Sequence, residues 1–222
     1  QPVTDVVAAL ADHPALVHVD AAQAVGRVPV DLRALGADLV SLSGHKWGAP
    51  AGTGALLVRR GLRLDPLLVG SDQERARRAG LENVAAVAGL GAAAAALAAD
   101  GLADEGERAR RLTDRVLDGI GDMGVRVHGD RRDRLPHLVC LGFDDVEPQA
   151  VLLGLDRAGV AVHSGSACST ESLEPSPTLA AMGVDALRSL RVSVGWSSTD
   201  DDVTALLDAL PEVLAGLRAL RR

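Results

Sequence analysis

Residues 38–48 read DLVSLSGHKWG, and this stretch decides how the rest of the chain is interpreted. An apolar run that passes into small residues is typical of a buried strand of a parallel sheet. Directly after it comes Lys46, the only lysine of the chain. A lysine is usually a solvated surface charge, but its amine, unlike a guanidinium, can lose its proton when desolvated and attack a carbonyl. The stretch therefore predicts a strand with a reactive amine at its carboxyl end.

Two further apolar runs flank this strand in the sequence. ALVHVD (15–20) ends in a carboxylate, and GALLVRRG (54–61) follows a glycine-containing turn. Between the first two runs, VDLRALGA (30–37) has the spacing of a helical turn and a glycine stop. Strands joined by helical connections predict an α/β layer architecture, which we assign to residues 1–90 as part of a mostly parallel sheet.

The remaining residues, 91–222, are predicted to form a connecting helix and a small α+β domain. Helices are expected at 4–12, 83–120, 147–159 and 198–220 of the whole chain. The first would have Thr4 as its N-cap, and the helix at 198–220 would be capped by Ser198 or Thr199 and kinked or split by Pro211. The helix at 83–120 is expected to break near 100–101, and its apolar part, 84–99, is interpreted as buried. Short strands are predicted at 125–129, 137–143, 160–165 and 189–196.

Bulk composition excludes several classes of function. A net charge of −7 and a pI near 5.3 argue against nucleic acid as the main partner. Two cysteines do not make a disulfide framework in 222 residues, and no C-x-x-C pair indicates a metal site. No apolar run approaches the roughly 20 residues that span a bilayer, so we expect no membrane association and a reducing cytoplasm.

Five polar side chains follow the carboxyl ends of the first two strands: Asp20, Gln23, Ser43, His45 and Lys46. Ligands of open α/β sheets sit outside these strand ends. A lysine Schiff base with pyridoxal phosphate needs such a set, because the amine forms the imine, a carboxylate holds the pyridine nitrogen protonated, and hydroxyl and imidazole donors take the phosphate. Taken alone, Asp20 is equally explained as a cap.

The two cysteines differ in their surroundings. Cys140 lies in LVCLGF (138–143) and is interpreted as a small buried hydrophobe. Cys168 lies in HSGSACSTESLEPS (163–176), where small and polar neighbours favour an exposed, reactive thiol on a mobile loop. Such a thiol can collect a group at one place and deliver it at another.

The sequence resembles the cysteine desulfurases of the NifS/IscS type, which are class V aminotransferase-like enzymes of fold type I with pyridoxal 5'-phosphate as cofactor. The motifs that carry the resemblance occur in order along the chain: HVDAAQAVG (18–26), SLSGHKWGAPAGTGALLVRRG (41–61), SGSACSTESLEPS (164–176) and LRVSVG (190–195). The cysteine motif is the most specific, because related aminotransferases share the lysine region without it. The resemblance implies a carboxy-terminal portion that lacks the first part of the large domain.

The resemblance also implies roles for the five strand-end residues. Lys46 would form the Schiff base and transfer protons. Asp20 would pair with the pyridinium nitrogen, and Gln23 would hydrogen-bond the ring hydroxyl. Ser43 and His45 would bind the phosphate.

Two residues of the second part would act on the substrate, L-cysteine. Cys168, as a thiolate, would attack the substrate sulfur and give a persulfide and alanine, and Arg191 would clamp the substrate carboxylate in bidentate fashion. The implied partners are a sulfur-acceptor protein, such as an iron–sulfur scaffold, and a second copy of the chain in a homodimer. No metal is implied.

One departure and two alternatives accompany this interpretation. In GSDQERARRAGLEN (70–83), Leu81 stands where the family has a threonine that reaches a partner subunit's phosphate. The chain could instead be a related lyase or aminotransferase, such as a selenocysteine lyase, in which Cys168 is dispensable. It could also be a non-catalytic fragment that needs a separate amino-terminal half.

Overall fold

The computed structural model describes residues 1–99, 101–121, 123–164 and 176–220. The chain divides into two compact units, Gln1–Asp104 and Glu105–Arg222. The long apolar helix that begins at Val84 therefore belongs to the first unit.

The first unit contains short helices, a small sheet and one long helix. Its helices are α1 (Val3–Ala9), α2 (Leu32–Leu35), α3 (Gln73–Ala76) and α4 (Val84–Ala99), its strands are β1 (His18–Asp20), β2 (Leu39–Ser43) and β3 (Gly54–Val58), and a 3₁₀ turn covers Gly44–Trp47. The predicted order of elements is thus confirmed, although β1 is shorter than the apolar run 15–20.

Strand β2 is the centre of a three-stranded mixed sheet in the order β1-β2-β3. Strand β1 pairs with it in parallel, with Asp20 opposite Ser41. Strand β3 runs antiparallel to it, with Gly54 opposite Ser43. The extent of the parallel sheet was therefore overestimated at β3, because the short link between Ser43 and Gly54 can only turn the chain back, whereas a parallel return needs a longer crossover.

The carboxylate of Asp38 joins the ends of all three strands. It accepts a hydrogen bond from the Val17 N–H at 2.8 Å, just before β1, and it forms an ion pair with the Arg59 guanidinium at 2.6 Å, just after β3. The Val17 hydrogen bond, followed by the attraction of Arg59, holds the pKa of Asp38 below its ordinary value. Asp38 thus helps to fix the register of the sheet.

A small apolar cluster lies on one face of the first sheet. Val40 is fully buried there together with Ala21 and Ala37, and the leucines of α2 pack at its margin. Helix α2 is held in place by the Asp31 side chain, which accepts hydrogen bonds from two N–H groups of its first turn. The residues that pair across β1 and β2 on the opposite face, Asp20 and Ser41, are left outside this cluster.

Helix α4 differs from its interpretation as a buried helix. None of its residues from 84 to 98 is buried, and the side chains of Val84 and Val87 are 72% and 54% exposed. Its composition is apolar on all sides, which normally indicates burial on all sides. In the described part of the chain, the helix nevertheless lies close to Gly44 through Leu90, to Pro50 through Gly89 and to Gly26 through Leu97.

The second unit is built on a four-stranded antiparallel sheet, whose strands in spatial order are β4 (Val125–His128), β5 (Leu138–Phe143), β7 (Ser189–Ser193) and β6 (His163–Ser164). Its core lies between one face of this sheet and three helices, with Leu141, Phe143 and Leu190 among the most deeply buried side chains. Its elements are α5 (Leu102–Gly119), which begins just before the boundary, β4 (Val125–His128), β5 (Leu138–Phe143), α6 (Pro148–Arg157), β6 (His163–Ser164), α7 (Pro177–Ala181), a 3₁₀ turn (Ala186–Arg188), β7 (Ser189–Ser193) and α8 (Asp200–Ala219).

Two predictions about helix ends and interruptions were wrong. Helix α1 begins at Val3 after Pro2, with no side-chain cap, so Thr4 is not its N-cap. Helix α8 continues through Pro211 without a break. Leu210 and Leu214, on either side of the proline in the sequence, are buried in the core, and this burial offsets the roughly 3 kcal/mol that an internal proline costs. The cap of α8 is Thr199, one of the two predicted candidates.

No single helix in the described ranges is long and apolar enough to cross a membrane. Only α4 and α5, taken together as a bent pair, have the necessary length and composition.

We predict that Asp38→Ala lowers the free energy of unfolding at pH 7, because the Val17 N–H and Arg59 lose their partner. Folding lowers the pKa of Asp38, so its stabilisation is present above the ordinary carboxyl pKa of about 4 and is lost as the pH falls through the lower folded value. Urea unfolding of both proteins should give a difference that is largest at neutral pH and shrinks as the pH falls below the ordinary carboxyl pKa of about 4. The control is Asp12→Ala, at an exposed position of the same unit. A pH-independent difference for Asp38→Ala would contradict the assignment.

Candidate active site

The structure places the five strand-end residues at one edge of the first sheet. Strands β1 and β2 are parallel, so the residues after Asp20 and after Ser43 leave the sheet on the same side. Gln23 lies in the turn that follows β1, and His45 and Lys46 lie in the 3₁₀ turn that follows β2. The predicted convergence of these residues on one edge therefore agrees with the backbone arrangement.

Asp20 is the carboxylate of this edge. The N–H of Ala22 donates to its Oδ1 at 2.9 Å, which fixes the side chain in a tight turn at the strand end. The side chain is otherwise exposed and lies on the same sheet face as Ser41 and Ser43, because residues opposite each other or two apart share a face. One face of the strand ends thus carries a carboxylate and two hydroxyls. Ser41 was not among the predicted site residues, although its spacing of two from Ser43 indicated it.

Ser43 and His45 form a hydrogen-bonded pair. The Ser43 hydroxyl lies 3.1 Å from Nδ1 of His45. Between them, Gly44 is buried, and a Cβ there would come within 2.4 Å of the Thr53 hydroxyl, so the chain can turn this tightly only at a glycine. A hydroxyl and an imidazole held side by side at a strand end are donors suited to a phosphate.

Lys46 is partly buried, and its backbone carbonyl accepts a hydrogen bond from a residue that was not among the predicted site residues. The Arg27 guanidinium donates to the Lys46 carbonyl oxygen through Nη2 at 3.4 Å. The next residue, Trp47, is buried, and its indole Nε1 has no hydrogen-bond partner among the described residues. No spacing in the sequence indicated Arg27, because the contact depends on how the turn after β1 folds back over the turn after β2.

The donor set at this edge fits a pyridoxal phosphate group. Such a group requires an amine, a carboxylate for the ring nitrogen, and donors for a phosphate, and Lys46, Asp20 and the Ser43–His45 pair supply these types. The indole nitrogen of Trp47, the residue after Lys46, is a further buried donor without a partner in the described part of the chain. No group of three or more His, Cys, Asp or Glu side chains among the described residues is arranged to hold a metal ion.

Arg191 lies in the second unit, at the centre of strand β7. It is opposite Cys140 on one side and His163 on the other. Its Nε atom is buried and has no hydrogen-bond partner among the described residues. Cys168, the predicted nucleophile, lies outside the described residues. The histidine opposite Arg191 was missed because cross-strand register cannot be read from the sequence alone.

Leu81 borders an open cavity of about 750 Å³ in the first unit. Its side chain is 88% exposed, and Arg75 and Arg78 line the same cavity. At this position the leucine presents carbon atoms to solvent and offers no hydrogen bond to a phosphate.

Comparison with known proteins gives a consistent picture. The model of the family "Aminotransferase class-V" matches residues 1–206. The chain is 46% identical to a cysteine desulfurase of Gluconacetobacter diazotrophicus, over 99% of the chain and 56% of that protein. It is 39% identical to the cysteine desulfurase IscS of Methanosarcina thermophila, over 98% of the chain and 55% of that protein.

Solved structures agree with these sequence matches. A NifS-like protein of Rickettsia africae superposes with a TM-score of 0.85 at 29% identity, over 96% of this chain and 57% of the other. The cysteine desulfurase CsdA of Escherichia coli superposes with a TM-score of 0.82 at 26% identity, over 97% and 56%. The chain therefore spans about half the length of the relatives that it matches.

A matched pair of glycine substitutions tests how the lysine turn is held. Gly26 and Gly52 have similar left-handed φ angles of 77° and 78°, but a Cβ at Gly26 would lie 2.4 Å from Cβ of Trp47, whereas a Cβ at Gly52 would meet nothing within 4 Å. Gly52→Ala should cost about 1 kcal/mol of unfolding free energy from backbone strain alone. Gly26→Ala should cost roughly 2–4 kcal/mol, because strain adds to steric overlap. Urea unfolding followed by tryptophan fluorescence measures both, and equal costs would contradict the packing of Gly26 on Trp47.

Proposed function

Because the chain belongs to the class V aminotransferase family, we propose that it carries the lysine and cysteine centres of a pyridoxal-phosphate-dependent cysteine desulfurase. The reaction converts L-cysteine to L-alanine and leaves the sulfur as a persulfide on Cys168. The observation that carries this proposal is the convergence of a unique amine, a carboxylate and a hydroxyl–imidazole pair at the carboxyl edge of β1 and β2. The named relatives, at up to 46% identity, support it.

The residues of the first unit would hold the cofactor. Lys46 would bind it covalently through its amine, Asp20 would face the pyridine nitrogen, Gln23 would hydrogen-bond the ring hydroxyl, and Ser43 with His45 would hold the phosphate. When bound, pyridoxal phosphate supplies an electron sink for the substrate's α-carbon. Lys46, the only lysine of the chain, would then act as the general base that takes the proton from the α-carbon of the substrate.

The residues of the second unit would act on the substrate. Arg191 would bind the carboxylate. Its Nε is buried without a hydrogen-bond partner among the described residues, and this supports the role because a desolvated guanidinium gains most from a carboxylate partner. The Cys168 thiolate would attack the sulfur of L-cysteine. An S–S bond forms as the C–S bond breaks, and the electron pair left on carbon takes a proton to give alanine.

Cys140 would take no part in this transfer. Burial raises the pKa of its thiol, and the hydrogen bond from Ser189 and the charge of Arg191 only partly counter that effect. At neutral pH its thiolate fraction is therefore small, and a neutral thiol is a poor nucleophile.

The surface of the first unit supports association with further polypeptide. Large apolar side chains are exposed there, including Leu67 at 94%, Val69 at 77% and Leu81 at 88%, in addition to helix α4. Contiguous exposed apolar surface marks interaction sites. We propose that this surface is covered in a homodimer of the whole enzyme, which acts in the cytoplasm and delivers sulfur to an acceptor protein for iron–sulfur cluster assembly or thiolation.

Sulfide release from L-cysteine, with pyridoxal phosphate and a reductant, tests the proposal. Lys46→Ala and Cys168→Ser should each reduce release at least about 100-fold, since each removes a group that forms a covalent bond in the reaction. Cys140→Ser is the matched cysteine control and should retain activity within about threefold.

Other outcomes identify the alternatives. Activity that survives Cys168→Ser would indicate a related lyase or an aminotransferase. Activity that is absent from the parent chain and restored by a separate amino-terminal half of a relative would indicate a subunit that needs such a half. Full activity of Lys46→Ala would overturn the proposal altogether.

A further inference from the structure

One row of side chains crosses the second sheet from edge to edge. In the antiparallel register, His128 of β4 lies opposite Cys140 of β5, Cys140 lies opposite Arg191 of β7, and Arg191 lies opposite His163 of β6. Directly opposed residues share a sheet face. The neighbours of this row in sequence, such as Leu141 and Leu190, are buried in the core on the other face. All four side chains of the row therefore lie on the face away from the core.

Two members of this row are driven to their neutral forms. Burial, with the charge of Arg126, lowers the pKa of His128, and burial raises the pKa of Cys140. The His128 ring lies over Gly142, where a Cβ would come within 2.1 Å of its Nε2. The positive charge of Arg191 is thus not compensated from the β4–β5 side of the row.

His163 is the neighbour of Arg191 on the other side. Its Nδ1 lies 3.0 Å from the carbonyl oxygen of Ser164. A carbonyl oxygen can only accept a hydrogen bond, so Nδ1 carries the proton of the pair. The ring is thereby oriented, and Nε2 is the atom that it presents to a ligand.

The same row contains a buried donor that lacks an acceptor among the described residues. Nε of Arg191 is buried without a partner among the described residues. A buried guanidinium donor left unpaired is costly, and the natural partner of the Arg fork is a carboxylate. Opposed residues of an antiparallel pair have Cβ atoms about 5 Å apart, so an anion on the Arg191 fork is within reach of the His163 ring.

We propose that His163 is a second substrate-binding residue that binds as the imidazolium, in which Nδ1 donates to the carbonyl oxygen of Ser164 and Nε2 donates to the carboxylate held by Arg191. The inference rests on the proposed function in one respect, that Arg191 binds the substrate carboxylate. It adds that the carboxylate is held between two donors from neighbouring strands, β7 and β6. A site of this kind selects a carboxylate over the isosteric neutral amide, because an amide cannot accept at both positions.

The test uses the whole 222-residue chain, labelled with ¹⁵N, and two small probes. Propionate carries the carboxylate alone, and propionamide is its neutral isostere. With propionate, the Nε signal of Arg191 and the ring nitrogen signals of His163 should shift together with one dissociation constant. Propionamide should shift neither signal, and the exposed ring of His13 in the first unit should respond to neither probe.

Two substitutions of His163 separate its two ring nitrogens. Asn places a polar group near the Nδ1 position and none at Nε2, whereas Gln reaches the Nε2 position. His163→Asn should weaken propionate binding about tenfold, the size expected for one hydrogen bond to a charged group. His163→Gln should restore binding to within about threefold of the parent chain.

The outcomes separate this inference from the proposed function. If propionate shifts Arg191 and His163→Asn binds it as tightly as the parent chain, His163 has no part in binding and the role of Arg191 stands. If propionate leaves the Arg191 signal unmoved, the carboxylate does not bind there and both assignments fail. Equal shifts with propionamide would show that charge is not what the site recognises.

Discussion

The parallel pairing of β1 with β2 is the constraint on which the rest of the site depends. It places Asp20 opposite Ser41 and brings the turn after each strand to one edge of the sheet. Side chains alternate between faces, so a slip of one residue would move Asp20 to the face of Val40 and its apolar cluster.

Asp38 strengthens this pairing at the other end of the strands. Its carboxylate takes the N–H of Val17 and the guanidinium of Arg59, and its backbone carbonyl accepts the N–H of Arg59 at 2.8 Å. The amine of Lys46 is therefore positioned by a register that is fixed at both ends of β2. The position of Lys46 at the carboxyl edge therefore depends in part on the contacts of Asp38 at the amino end of β2.

The second unit uses strand alternation for a different purpose. Along β5 and β7, every second side chain enters the core, and Cys140 and Arg191 lie between these positions on the other face of the sheet. The same alternation that builds the core therefore determines which residues flank Arg191. Cys140 contributes a neutral thiol beside it.

Local signals in the sequence predicted much of this arrangement. The single lysine, the carboxylate at the end of ALVHVD (15–20) and the glycine stop of α2 at Gly36 all act over a few residues, and each is where the structure has it. The direction of β3 and the exposure of α4 were not predictable from apolar content, because both depend on what lies beside them. The contact of Arg27 with Lys46 and the pairing of His163 with Arg191 were missed for the same reason, since each joins residues far apart in sequence.

The central claim is that Lys46 serves as an amine held at a pyridoxal phosphate site. Incubation of the chain with pyridoxal phosphate, reduction with borohydride and peptide mass spectrometry test it most directly. One reduced adduct is expected on the peptide that contains Lys46, with lower yield in Asp20→Ala and in a Ser43→Ala, His45→Ala double variant. Because Lys46 is the only lysine, the amino terminus is the one competing amine. An adduct confined to that terminus, or a Lys46 adduct whose yield is the same in all variants, would show that Lys46 is not held at such a site.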